Sequence, residues 1–154
     1  MPASLPVMST FLSLHYHIVF STKHREPIIT NSWRPALLEY VGGTINGLGG
    51  YTQGVGGTAD HVHILMGLKA KDSLSDFVRD LKKASSIWAK DQVSYRKFSW
   101  QEGYAAFTVS PTARDGVRKY IANQEEHHRT RTFREELEHF LQNAGVEYDP
   151  KYLE

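Results

Sequence analysis

The amino-acid sequence predicts an α+β fold, a ferredoxin-like or RRM-like βαββαβ sandwich with an antiparallel sheet and additional C-terminal helices. Three observations predict it: a strictly alternating segment near the N-terminus, two segments of helical periodicity separated by a pair of short strands, and a short apolar run after the second helix. In this order of elements the first and third strands lie side by side at the centre of the sheet.

Residues 12–21 alternate with period 2. Leu12, Leu14, Tyr16, Ile18 and Phe20 fall on one face and Ser13, His15, His17, Val19 and Ser21 on the other, which is a strand with one apolar face. Lys23-His24-Arg25-Glu26-Pro27 then turns the chain. Trp33, Leu37, Leu38, Val41 and Ile45 recur at helical spacing over 33–48, and Gly47, Gly49 and Gly50 end that helix. Strands follow at 50–56 and 61–68, with a turn at Gly57-Thr58-Ala59-Asp60. Ser73 caps a helix whose one stripe carries Leu74, Phe77, Val78, Leu81, Ala84, Ile87 and Trp88. Residues 91–104 read as loop and Ala105–Val109 as the fourth strand. A third helix runs from Pro111 and Thr112 to about His128, and a fourth covers 132–144. The glycines of 42–57 follow a helix rather than open one, so they form a turn and strand edge and not a phosphate-binding loop.

At 154 residues the chain is expected to be a single domain over 1–154, with a core at about 12–128 and an acidic helix and tail at 132–154. The absence of cysteine removes disulfides, zinc–cysteine sites and thiol nucleophiles, and fits a cytoplasmic setting. No stretch of ~18 apolar residues exists to span a membrane, and the N-terminus lacks the basic-then-apolar pattern of a signal peptide. Net charge is only +1, but it is unevenly distributed: residues 1–131 carry +5 and residues 132–154 carry −4. A basic body suits a phosphate backbone as partner.

Two short patterns carry chemistry. His61-Val62-His63 lies on the third strand, where a spacing of two puts both imidazoles on one face and Val62, Ile64 and Met66 on the other. The helices of a ferredoxin-like sandwich would cover the Val62 face, leaving the histidines on an open face where a divalent metal and a substrate can reach them. Tyr120 and Gln124 stand four residues apart on the third helix and share a face, presenting a phenol and an amide together. His15-Tyr16-His17 repeats the histidine spacing on the first strand. With strands one and three adjacent, His17 is expected close behind the metal site and His15 further out.

These motifs, with Trp100-Gln101-x-Gly103-Tyr104-Ala105-Ala106-Phe107, Lys23-x-Arg25, Asp60, Leu81-Lys82 and Tyr120-Ile121-x-x-Gln124-Glu125-Glu126-His127-His128, resemble the IS200/IS605-type transposases, including relatives associated with repetitive extragenic palindromes. The resemblance covers nearly the whole chain. It implies a metal-dependent, HUH-type enzyme that cuts and rejoins single-stranded DNA through a 5′-phosphotyrosine link. Tyr120 would be the nucleophile, and His61, His63 and Gln124 the ligands of Mg²⁺ or Mn²⁺, with Asp60 behind them. It further implies hairpin DNA as substrate and a homodimer in which one protomer's tyrosine helix can complete its partner's site. Asp115-Gly116 would give that helix a hinge.

Lys23, Arg25, Arg79, Lys82 and Lys83 are candidates for phosphate contacts, and Trp100 and Tyr104 for stacking on unpaired bases. Three other readings compete. A host nuclease that cleaves dispersed palindromes would share every motif, and only genomic neighbourhood separates it from a mobile element. A non-catalytic ferredoxin-like nucleic-acid-binding module would not need Tyr120 and Gln124 alongside the histidine pair. A two-histidine phosphoesterase needs two His-x-Ser/Thr motifs on paired strands, and only His128-Arg129-Thr130 fits.

Overall fold

A computed structural model describes residues 10–153 of the chain. The signal-peptide reading falls mainly on residues 1–9, outside the described residues. In chain order come β1 (His15–Ser21), α1 (Arg34–Gly47), β2 (Tyr51–Gly57), β3 (His61–Gly67), α2 (Leu74–Gln92), β4 (Ala105–Thr108), α3 (Arg114–Ala122), α4 (Gln124–His127) and α5 (Phe133–Asn143). The strands form one antiparallel sheet in the order β2-β3-β1-β4, so the α+β arrangement has β1 and β3 at its centre, as predicted. No helix among the described residues is long and apolar enough to cross a membrane.

Alternation along the central strands sorts their side chains. Ile18 and Phe20 of β1 and Val62, Ile64 and Met66 of β3 pack against Leu37, Val41 and Ile45 of α1 and Phe77, Val78 and Leu81 of α2. Each such side chain, fully buried, is worth ~1.5–3 kcal/mol, and this cluster is the main core. Ser73 caps α2 as expected, its Oγ accepting from the Asp76 amide. β1 begins later than the alternation does: its register against β3 starts at His15↔Gly67, and Leu12 is exposed.

The other face differs from the prediction. It is not open. His61 and His63 are fully buried, because α3 and α5 lie across them. A ferredoxin-like unit supplies only two helices, and both go to the Val62 face. The extra helices bring their own apolar stripes, and the histidine face is where those stripes are buried. Val117 and Ile121 of α3 pack on Leu65, while Phe133 of α5 stacks on the His61 ring at 4.3 Å and Phe140 meets His17 edge-on at 5.0 Å.

Two local features set the position of α3. Gly56 on β2 pairs with His63, and a Cβ at Gly56 would lie 2.1 Å from the Ile121 carbonyl oxygen. Only glycine lets the helix backbone come this close to the sheet. The predicted third helix is also broken: Asn123, at φ −107° and ψ 28°, separates α3 from α4. Asparagine competes poorly in helix interiors because its amide bonds nearby backbone. The break turns Gln124 inward and brings His127 onto the Tyr120 ring at 4.2 Å. A capping box of Thr132 and Glu135 then starts α5, which fixes the phase that points Phe133, Glu136 and Phe140 at the sheet.

Candidate active site

His61 and His63 come from β3 and point their Nε2 atoms under α5. Their other ring nitrogens are held from behind: His61 Nδ1 lies 2.7 Å from Asp60 Oδ1, and His63 Nδ1 lies 2.7 Å from His17 Nε2. Asp60 and His17 thus lie directly behind the pair, each against one Nδ1 atom. His15 is further out, bonded to Gln53 across the sheet.

At the focus of the cluster is Glu136 of α5, fully buried. Its Oε1 is 2.7 Å from His63 Nε2, 3.5 Å from His61 Nε2 and 3.2 Å from His128 Nε2. Its Oε2 accepts hydrogen bonds from the Tyr120 hydroxyl and, at 3.3 Å, from Gln124 Nε2. Gln124 Oε1 is 3.0 Å from His61 Nε2. The structure therefore brings Tyr120, Gln124, His61 and His63 together within one chain. Ligand atoms of His61, His63, His128 and Glu136 all lie within 4.8 Å of one another, so this buried cluster could bind a metal ion.

The electrostatics follow from burial and from that carboxylate. Burial alone would raise the Glu136 carboxyl, but His128, His61 and His63 outweigh it and hold the group far below the usual carboxylate range. For His61, burial disfavours the charge, yet Asp60 and Glu136 push its value up to about 9. His63 is lowered to about 4, mainly by burial. Burial, helped by His63, lowers His17 to about 3. The Tyr120 phenol is raised by burial and by the Glu136 charge, so in this state it holds its proton firmly. A cavity of about 660 Å³ opens on Tyr120, lined also by His17, His127, Arg131 and Phe140. A second, of about 560 Å³, borders His128 and Asp60 and includes Arg25 and Arg131.

Sequence reasoning missed Glu136. A signal was available: an acid flanked at i−3 and i+4 by Phe133 and Phe140 interrupts an apolar helix stripe. His128 reaches the His61/His63 pair only because of the α3–α4 break. Arg131 was also missed; it lines both cavities, and its charge lowers the Tyr120 value against the larger upward effects.

Two DNA-contact candidates need correction. Trp100 is a core residue, 8% exposed, with its indole donating to Ser85 and its ring edge-on to Phe20 and Phe98, so it offers no face for stacking. Lys82 is half-buried and donates to the carbonyls of Gln101 (2.6 Å) and Gly103 (2.8 Å), which ties down a loop instead of reaching phosphate. Arg79 and Lys83 are exposed on α2, across the sheet from the histidines, and Arg79 is engaged by Asp76 and Asp80. Lys23 is exposed after β1; Arg25, beside the second cavity, sits 5.9 Å from the Phe133 ring centre. Tyr104 keeps an exposed edge.

With this geometry in place, comparison with known proteins gives a consistent result. The family model for IS200-like transposases matches residues 10–124, and the chain belongs to that family. It is 29% identical over 119 residues to the ISDra2 transposase TnpA of Deinococcus radiodurans, covering 72% of this chain and 84% of that one. A crystal structure of a candidate transposase from Deinococcus radiodurans superposes with a TM-score of 0.64 at 24% identity, over 79% of this chain and 98% of the other. A REP-associated tyrosine transposase bound to a REP hairpin gives 0.52 at 14% identity, over 74% and 70%. The two structures share the fold. Membership makes this chain a DNA-processing enzyme of the transposase class. His128 and Glu136 lie beyond the matched segment.

Proposed function

We propose that the chain cleaves and rejoins single-stranded DNA by transesterification, with Tyr120 as nucleophile and a divalent cation held at the His61/His63 cluster. The observation that carries this reading is the convergence of a phenol, an amide and a histidine pair on one buried carboxylate. The donor set fits a cation: three imidazoles and a carboxylate whose ligand atoms lie within 4.8 Å of one another. Mg²⁺ or Mn²⁺ bound there would withdraw charge from a scissile phosphate and help orient it.

The rest falls to the chain's own residues. The Tyr120 oxygen bonds phosphorus, the P–O3′ bond breaks with its electron pair on the 3′ oxygen, and the phenol proton leaves. Glu136 Oε2 holds that proton before attack, but its depressed carboxyl cannot keep it, so the proton passes to solvent in the adjoining cavity, and the departing 3′ oxygen takes up a proton from solvent to end as a hydroxyl. The product is a 5′-phosphotyrosine, which keeps the phosphodiester's energy, so a second strand's 3′-hydroxyl can reverse the step and join. A bare phenol with pKa ~10 is a weak nucleophile at neutral pH, and here burial first, then the hydrogen bond and charge of Glu136, raise it further.

The hairpin-bound relative supports hairpin DNA as substrate, and Arg25 and Arg131, which line the cavities beside the site, are placed to meet it. A homodimer is the expected assembly, and within one chain Tyr120 stands beside the histidine pair. The whole chain acts as one domain in the cytoplasm. The test is to incubate the protein with labelled single-stranded hairpin DNA and Mn²⁺ and resolve covalent adduct on a denaturing gel. Tyr120→Phe should abolish the adduct and leave DNA binding intact; an adduct that survives assigns the nucleophile elsewhere.

A further inference from the structure

We infer that the cavity beside Tyr120 is a nucleobase site: it takes the unpaired base of the nucleotide whose 5′ phosphate the tyrosine captures. The inference rests on the reading that Tyr120 attacks single-stranded DNA and goes beyond it by naming which base the protein holds and where.

Three observations carry it. First, the cavity is walled by rings. Its volume of about 660 Å³ falls in the range of small-molecule sites, and Tyr120, His127, His139, Phe140 and His17 all line it. The His127 ring lies on the Tyr120 ring at 4.2 Å and 21°, whereas Phe140 stands at 86° to Tyr120 and 84° to His17. Two ring planes thus meet near a right angle, one to stack on a flat ligand and one to meet its edge. Tyr120, His127 and Phe140 are each half-buried, so part of every ring stays free. Unpaired bases are recognised on such aromatic surfaces, histidine included. Second, the rim is polar. Arg131, Thr130 and Glu126 share the lining, offering a cation to a phosphate and hydrogen-bonding groups to the edge of a base. The cavity on the other side of the cluster is unlike it. Its phenylalanine, Phe133, is buried and already stacked on His61, and its arginines suit backbone phosphate. Third, the chemistry selects the base. In-line attack puts the departing 3′ oxygen opposite the phenol, so the departing nucleotide runs away from Tyr120. The retained nucleotide stays on the same phosphorus through its 5′ oxygen and remains beside the tyrosine.

The test changes the DNA and leaves the protein intact. The cut in the hairpin substrate is mapped from labelled fragments, and single-turnover adduct formation is timed on DNA made abasic at either nucleotide flanking that cut. Loss of the base from the retained nucleotide should slow adduct formation about 5- to 100-fold, the range for one lost base–aromatic stack, and loss from the departing nucleotide by less than about twofold. Gly116→Trp supplies the protein side. Gly116 lines the cavity, and a Cβ there meets nothing within 4 Å, so an indole can enter without displacing the helix; an unchanged melting temperature checks the fold. This variant should be slow on intact DNA and no slower on DNA abasic at the retained nucleotide, a non-additivity that a general weakening of α3 would not give. Equal rates on intact and retained-abasic DNA, or an equal or larger loss at the departing nucleotide, overturn the inference and leave the Tyr120 chemistry standing. Additive losses in a folded Gly116→Trp protein also overturn it. Absence of adduct on intact DNA with the unaltered chain overturns the reading beneath it and the inference with it.

Discussion

Gly56→Ala tests whether the close approach of α3 to the sheet governs the chemistry. The added methyl would lie 2.1 Å from the Ile121 carbonyl oxygen and 2.9 Å from its carbon. Carbon–oxygen contacts settle at about 3.3 Å or more, so α3 must retreat by about 1.2 Å at the residue next to Tyr120. The strained contact is to backbone, so no rotamer change relieves it. Overpacking of this kind costs ~1–3 kcal/mol, which a domain of this size can lose and stay folded. A displacement of ~1 Å at a reacting group can cost about 100-fold in rate. Single-turnover adduct formation on hairpin DNA should therefore fall about 100-fold, while Mn²⁺ binding through His61 and His63 changes much less. Gly43→Ala is the control. Its methyl meets nothing within 4 Å, and alanine in α1 should stabilise by up to ~1 kcal/mol with no change in rate. Wild-type adduct kinetics in a folded Gly56→Ala protein would refute the reasoning.

Two further expectations follow from burial. Trp100→Ala should destabilise the fold by about 3–5 kcal/mol in urea denaturation, since the indole is packed and bonded to Ser85; a stable variant with selectively weakened DNA binding would restore the stacking role. In the metal-free protein, stability should peak close to neutrality. His17 and His63, lowered to about 3 and about 4 from 6.5, contribute fully above 6.5 and lose that contribution as pH falls through their folded values. The depressed Glu136 carboxyl adds to the loss on the acid side. His61, raised to about 9, contributes fully below 6.5 and loses it as pH rises through 9. Melting temperature against pH should thus fall more steeply below neutrality than above it, and a flat profile from pH 4 to 9 would contradict the buried-histidine account.

Local pattern determined a good deal by itself. Period-2 alternation fixed which side of β1 and β3 each histidine takes, because strand geometry leaves no other choice, and His17 and Asp60 follow from strand pairing and chain adjacency. The i,i+4 spacing of Tyr120 and Gln124 put phenol and amide near one another, but the break at Asn123 is what turns Gln124 inward. What only tertiary structure decided is what covers the histidines. Trp100 reads as a surface stacker until the core claims it, and Lys82 as a phosphate contact until two carbonyls engage it. Glu136 lies more than seventy residues from His63, and no short-range rule links them. Its place depends on a break at Asn123, a glycine at position 56 and the burial of two phenylalanines, which together set a helix across a sheet face that its own fold class leaves bare.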